Sequence, residues 1–353
     1  TQKRPAPKIP TSTKTRKKIR IMAAFVLWLA VLLYVAVADA FVTFGQSNSL
    51  SKASTVDLSM VAPDVSEVRV MVNGMPGAMA TAAAEACLRK GLKLSPIAIT
   101  GPDFMPSSIH VCDIVSERTS KVQLIPSTEI KELESKLEGL KTAVGPNNLI
   151  AIDYTHPSAV NGNALFYVKN KIPFVMGTTG GDRDKLMSDV QSAKHFAVIA
   201  PNMGKQIVAM QSALEELAKK YPSAFAGYKL TVTESHQKTK ADTSGTAKAM
   251  IYSLKTLSDD DFLDDDINML RDDESSKEFG VPEEGLDGHA FHTYTLTSPD
   301  QSVQFELKHN VVGRNIYAEG TADAVKFLAS KIATESEGKV YSMIDVLEQG
   351  ALE

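Results

Sequence analysis

A short β-branched run, residues 68–72, passes directly into Asn73-Gly74-Met75-Pro76-Gly77-Ala78-Met79 and then into an alanine-dense stretch closed by Gly91. No other stretch limits the possible folds as sharply. Strand, glycine turn and helix in this order let backbone amides at the helix start face a pyrophosphate, because glycines allow close approach of the main chain. Met79, Ala83, Ala86 and Leu88 supply an apolar face for a helix over residues 80–90. A plain tight turn has the same two glycines, and at this point the residues leave both readings open. Context favours the first. Strand-like segments at 94–99, 109–115 and 149–152 alternate with helix-like segments at 157–170, 182–193 and 203–220. This alternation predicts an α/β fold, a parallel sheet with helices on both faces.

Ligands bind such sheets beyond the C-terminal ends of the strands, and two more turns fall there. One is Asp153-Tyr154-Thr155-His156-Pro157. The other is Gly177-Thr178-Thr179-Gly180-Gly181, directly after a strand-like run at 173–176. Its small residues, amides and hydroxyls suit a flat nicotinamide ring; a flexible connection is the alternative. Residues 228–234 then alternate in the strand period, with Tyr228, Leu230 and Val232 on one face. They lead through His236 and Lys240 to Ser244-Gly245-Thr246-Ala247, where a helix begins. Amides at a helix N-terminus with two hydroxyls make an anion seat. A carboxylate-bearing substrate there has His236 and Lys240 nearby as proton donors. The plain alternative is a His and a Lys on a solvated surface.

At 353 residues the chain is long enough for two domains. With 43% hydrophobic and 23% charged residues it is neither a polytopic membrane protein nor wholly disordered. A net charge of -4 gives no footprint for nucleic-acid binding. Cys87 and Cys112 form no C-x-x-C, which fits a reducing compartment. His110, His156, His195, His289, His292 and His309 show no ligand-spaced cluster with Cys, Asp or Glu, so no metal is expected. Lys14, Arg16, Lys17, Lys18 and Arg20 precede an uncharged apolar run at 21–38, then Ala38-Asp39-Ala40 and a Ser/Thr/Lys-rich stretch at 43–59. Residues 1–66 therefore read as a targeting presequence, with a signal or anchor at 19–40 and a transit-like part at 41–66. It resembles the two-part plastid presequence of algae with complex plastids, cut at Ala40-Phe41. A single-pass membrane anchor is the alternative.

The order and spacing of Asn73-Gly74-Met75-Pro76-Gly77-Ala78-Met79, Asp153-Tyr154-Thr155, Gly177-Thr178-Thr179-Gly180, Glu234-x-His236 and Ser244-Gly245-Thr246-Ala247 resemble 4-hydroxy-tetrahydrodipicolinate (dihydrodipicolinate) reductase. The likeness covers residues 68–350 and is greatest to the plant-type branch. Further stretches that carry it are 173–182, Pro201-Asn202-Met203-Gly204-Lys205-Gln206, 288–294 and 309–314. The resemblance implies a Rossmann-type dinucleotide-binding domain, residues 67–200 plus 316–353, with an inserted α+β substrate and oligomerisation domain, residues 201–315. It also implies a homodimer or homotetramer. The implied reaction is NAD(P)H-dependent reduction of a small cyclic dicarboxylate to tetrahydrodipicolinate, in the diaminopimelate route to lysine.

By the same resemblance, Gly74, Met75, Gly77, Ala78 and Met79 form the pyrophosphate turn. Tyr154, Thr155 and Asn202 stand at cofactor-contacting positions, and Gly177, Thr178 and Thr179 on the nicotinamide side. His236 stands where the family has its catalytic histidine, and Lys240 where it has a lysine credited with proton donation or intermediate stabilisation. Ser244, Gly245 and Thr246 match the substrate-carboxylate grip, and Arg314 a family arginine near the active site. Gln237 replaces the second of two adjacent histidines in bacterial members, which shifts weight to Lys240 as an acid. The stretch before Ser244 is also one residue shorter and lacks the usual proline, as in the plant-type branch. NADPH is expected on plastid grounds, with NADH the alternative; Asp103 is the only acid near the end of the second strand. The acidic stretch 258–288 reads as a solvated connection. Two other functions compete: a related reductase of another amino-acid precursor, and a non-catalytic nucleotide-binding regulator tethered to a membrane.

Overall fold

The computed structural model describes residues 67–350 apart from Pro146 and Ala241, so the presequence assigned to residues 1–66 lies outside the described residues. Among those described, no helix is long and apolar enough to cross a membrane. In chain order the first part comprises β1 (Arg69–Asn73), α1 (Ala78–Arg89), β2 (Lys93–Leu94), β3 (Ile97–Thr100), β4 (Ser107–Asp113), β5 (Arg118–Pro126) and α2 (Ile130–Val144). It continues with β6 (Leu149–Asp153), α3 (Val160–Lys169), β7 (Phe174–Met176), α4 (Arg183–Ser192) and β8 (Ala197–Ile199). The second part holds α5 (Lys205–Lys220), β9 (Lys229–His236), α6 (Gly245–Ser258), β10 (Asn268–Leu270), α7 (Asp273–Glu278), β11 (His289–Thr297) and β12 (Gln304–Val312). The chain closes with α8 (Asn315–Thr334), β13 (Val340–Tyr341) and α9 (Met343–Gln349).

The α/β expectation holds. Six strands in the order β13-β8-β7-β6-β1-β2 form a sheet, and every pair in it is parallel. Its central strands are near-continuous apolar runs, all five residues of β6 being buried, as a sheet covered on both faces requires. The stretch 94–99, expected as one strand, is two. Pro96 cannot donate to a ladder, its carbonyl accepts from Gln123, and the Ser95 hydroxyl bonds both the amide and the carbonyl of Ile97. The chain thereby leaves the large sheet after β2 and enters a three-stranded sheet, β3-β5-β4. β5 and α2 were not among the sequence expectations.

A second core lies under the four-stranded sheet β10-β9-β11-β12, where Leu230, Val232, Tyr294 and Leu296 pack with Met250, Ile251 and Leu254 of α6. The acidic stretch is not merely a solvated connection, which corrects the sequence reading. Asp260 accepts from the Leu230 and Phe262 amides, Phe262 and Ile267 join the second core, and β10 pairs in parallel with β9. Charge alone suggested solvation; the apolar residues between the acids decide the outcome.

α8 returns to the first core with Ala318, Ala322, Val325 and Leu328 fully buried. It crosses residue 203 so closely that a Cβ on Gly320 would stand 1.8 Å from the Met203 carbonyl oxygen. Asp323 of α8 pairs with both Lys90 of α1 and Lys205 of α5, tying together three helices behind the strand ends.

Candidate active site

The C-terminal ends of β1, β6 and β7 are fixed by one fully buried carboxylate, Asp153. Its Oδ2 accepts from the Tyr167 hydroxyl at 2.7 Å and the Asn163 amide at 2.9 Å. Its Oδ1 accepts from the Thr155 amide and hydroxyl at 3.1 and 2.8 Å and from the Thr178 hydroxyl at 2.7 Å. Asn73 donates to the same Tyr167 hydroxyl and accepts from the Ile99 amide. Buried polar groups carry large penalties when unpaired, so this network sets the three turns at one mutual position. Asp153 was not among the expected site residues; its clue was a lone acid ending an otherwise apolar strand.

Above these turns opens a cleft of about 380 Å³. Met79, Tyr154, Thr155, Gly177, Thr178, Thr179 and Asn202 of the expected cofactor residues line it, together with Pro157, Pro201, Met203 and Tyr317, which the sequence reading missed. Gly74, Met75 and Gly77 stand in the turn between β1 and α1 instead, and Ala78 is the first residue of α1. Met75 is buried and its carbonyl accepts from the Thr100 hydroxyl, so its side chain serves the scaffold. A Cβ on Gly177 would stand 2.4 Å from the Tyr154 ring. That ring is held by a 2.6 Å hydrogen bond between its hydroxyl and Thr321, and burial pushes the phenol up to about 12. A Cβ on Gly77 would fall 2.8 Å from the Gly74 carbonyl oxygen. A cleft that side-chain carbons would fill, over a glycine turn at a helix start, fits a nicotinamide dinucleotide.

β9 delivers the second half of the site. Glu234 has no exposed surface; it pairs with Arg271 and accepts from the Ser244 amide at 3.1 Å. The Ser244 hydroxyl caps α6 by accepting from the Ala247 amide. The Thr246 hydroxyl accepts from Asn202 at 3.0 Å, so a residue of the cleft wall touches the start of α6. Lys240 Nζ pairs with Asp242 at 2.9 Å. Arg271, another residue the sequence reading missed, also donates to the carbonyls of Lys240 and Asp242 and thereby shapes the loop. Arg314 stands at the position before α8 without a side-chain capping bond and is exposed, with its guanidinium beside Gly288.

His236 is turned inward. Its Nδ1 lies 3.0 Å from the His289 carbonyl oxygen and its Nε2 3.3 Å from His292 Nε2. His292 Nε2 in turn lies 3.6 Å from Glu234, and its ring stacks on His309 at 4.6 Å between centroids. This corrects the expectation that these histidines form no cluster with an acid. The register pairs His292 with Glu234 on one side and His309 on the other, and cross-strand neighbours have no signature in linear spacing. Glu234, His236 and His292 place three ligand atoms within 4.8 Å of one another. The carboxylate, however, is already neutralised by Arg271 and bonded to Ser244, which suits an internal network better than a cation.

Burial pushes Glu234 up, but its bonds to His292, Arg271 and Ser244 outweigh this and hold it down to about 2. Burial, then the neighbouring His292, pushes His236 down to about 4, and the same two causes do so for His309. A histidine lowered on folding binds protons more weakly folded than unfolded, so stability is lost as pH falls from 6.5 towards 4. Glu234 contributes stability above pH 4.5 that is lost as pH falls towards 2. The thermal midpoint is thus expected to drop between pH 6.5 and 4. His309→Gln should recover roughly 1–2 kcal/mol of that loss, a figure discounted for its partly exposed ring. Melting curves at stepped pH check this; an unchanged slope in the variant would exclude His309 as a contributor.

The family models described as dihydrodipicolinate reductase, N-terminus and C-terminus, match residues 68–203 and 206–347. The chain is similar to 4-hydroxy-tetrahydrodipicolinate reductase 1, chloroplastic, of Arabidopsis thaliana, 46% identical over 80% of this chain and 78% of that protein. It is also similar to probable 4-hydroxy-tetrahydrodipicolinate reductase 1, chloroplastic, of Oryza sativa subsp. japonica, 44% identical over 86% of this chain and 85% of that protein. Among solved structures, the dipicolinate-bound dihydrodipicolinate reductase from Paenisporosarcina sp. TG-14 superposes with a TM-score of 0.51 at 17% identity, covering 78% of this chain and 97% of that one. That last likeness concerns the fold alone.

Proposed function

The chain belongs to the dihydrodipicolinate reductase family, and we propose that its cleft binds NADPH while the start of α6 grips the substrate and the loop after β9 supplies the proton. Its activity is the nicotinamide-dependent reduction of 4-hydroxy-tetrahydrodipicolinate in the diaminopimelate route to lysine. The regulator and the related-reductase readings are not favoured. The substrate loses its hydroxyl as water and gains one hydride and one proton. The bound nicotinamide supplies the hydride; everything else falls to the chain.

One contact carries the division of labour: Asn202, in the wall of the cleft, donates to Thr246 at the start of α6. Cofactor wall and dicarboxylate seat are thereby adjacent. In this reading Gly74 and Gly77, whose amides bond the Ile99 and Gly74 carbonyls, keep the turn free of side chains, and the start of α1 at Ala78 faces the pyrophosphate with its backbone amides. Tyr154, Thr155, Gly177, Thr178 and Thr179 surround the nicotinamide end. Gly245 and Thr246 hold one substrate carboxylate by amides and the Thr246 hydroxyl, with Ser244 fixing the helix start and Arg314 offering a cation at the rim. Lys240 and His236 form the proton-handling loop. Residues 201–315 are proposed to close over the cofactor as an inserted domain.

A homodimer or homotetramer through the β11–β12 side of the sheet is supported by exposed Val303, Phe305 and Val312. The chloroplastic relatives support a plastid location, reached through residues 1–66. The test supplies substrate in situ from pyruvate and aspartate semialdehyde through a dihydrodipicolinate synthase. Synthase-dependent loss of nicotinamide absorbance is expected, faster with NADPH than with NADH. No loss from folded protein that still binds NADPH would overturn the reading.

A further inference from the structure

Counting hydrogens along β9 and β11 constrains His236. A carbonyl oxygen only accepts, so His236 Nδ1, 3.0 Å from the His289 carbonyl, carries a hydrogen. The two Nε2 atoms of His236 and His292, 3.3 Å apart, have room for one hydrogen between them. The Glu234 carboxylate, 3.6 Å from His292 Nε2, favours that hydrogen on His292. His292 Nδ1 is buried and has no hydrogen-bond partner among the described residues; a second hydrogen there would be an unsatisfied buried donor, costlier than an unsatisfied acceptor on a neutral ring. Charge balance agrees. Glu234 is neutralised by Arg271, which leaves no anion to offset an imidazolium. Around His236 stand Glu234 on β9, His289 and His292 on β11, Arg271 after β10 and Lys240 in the loop; His309 on β12 and Tyr294 lie beyond His292. The only anion among them is already paired.

We propose that His292 is a positioning residue that holds His236 as an uncharged imidazole protonated at Nδ1, so that the proton consumed in the reduction leaves from Lys240. In that transfer an N–H bond of the Lys240 ammonium breaks, a bond from that hydrogen to the substrate forms, and solvent reprotonates the amine after product departs. His236 acts as a neutral wall of the site with a fixed tautomer. Gln237 fits this arrangement, since no imidazolium is needed beside His236.

The inference rests on the loop reading above. Its first test is nitrogen NMR of the full chain labelled with 15N-histidine, between pH 6 and 8. His236 is expected neutral with Nδ1 protonated throughout; an imidazolium or the Nε2–H form in that range overturns the proposal. The second test compares His292→Gln, whose amide still donates to His236, with His292→Leu, which cannot. His292→Leu is expected to let His236 take up a proton below about pH 6.5, to lower kcat about tenfold at acid pH, and to leave the KM for NADPH unchanged. His292→Gln should keep the parent pH profile. Equal pH profiles in both variants would overturn the proposal. If Lys240→Met is inactive but His236 is found charged, this inference alone falls; if Lys240→Met keeps full activity, the loop reading falls with it.

Discussion

Gly74→Ala is expected to weaken NADPH binding by about a hundredfold or more, close to 3 kcal/mol. Gly74 has φ +99, a region that L side chains rarely adopt, and a Cβ there would stand 2.1 Å from the Tyr154 carbonyl oxygen and 2.6 Å from its carbon. Those are backbone atoms, and they cannot yield easily. The Tyr154 amide donates to Asn73, and the residue before it is Asp153, whose carboxylate and carbonyl hold the neighbouring turns. The added carbon therefore has to push the β1–α1 turn away from the β6 turn, opening the place where the pyrophosphate is proposed to sit. Fluorescence titration with NADPH measures the loss, and circular dichroism checks the fold. Gly245→Ala is the contrast: among the described residues nothing lies within 4 Å of the Cβ it would add. It should bind NADPH normally and, if impaired at all, raise only the KM for the dicarboxylate. Normal NADPH affinity in folded Gly74→Ala would refute the placement of the pyrophosphate.

The alternation of strands and helices was legible because each segment of the nucleotide half buries its own apolar pattern. Val70, Met71 and Val72 announce β1 without reference to anything distant. The same holds for the cap of α6, where Ser244-Gly245-Thr246 signals a helix start locally. What escaped depends on partners far along the chain. Arg271 sits in an acidic stretch that looks solvated, yet it reaches 37 residues back to Glu234. His292 meets Glu234 and His309 only through the pairing of three strands. Tyr317 and Met203 line the cleft because α8 crosses the 201–204 link at Gly320. His236 and Lys240 were found as residue types in a loop, but their orientation was not: one ring points inward and the amine pairs with Asp242.

That difference in orientation predicts unequal effects for the two residues. Lys240→Met should lower kcat by about a hundredfold to ten-thousandfold, the usual worth of a general acid, while leaving the dissociation constant for NADPH within about twofold. Removing the amine leaves the carbonyls that bind Arg271 in place, so the loop should keep its shape. Lys240→Arg separates two roles for the amine. A guanidinium keeps the positive charge and can still attract a carboxylate, but it does not give up a proton at accessible pH. It should therefore keep a KM for the dicarboxylate substrate close to the parent's and yet remain as slow as Lys240→Met. Recovery of rate in Lys240→Arg would mean that charge, not proton transfer, is what the site needs. His236→Gln should cost less, about tenfold, because a glutamine amide can donate to the His289 carbonyl while its oxygen accepts from His292, preserving both contacts of the ring it replaces. A loss in His236→Gln that equals or exceeds that in Lys240→Met would reverse the assignment and make the imidazole the acid.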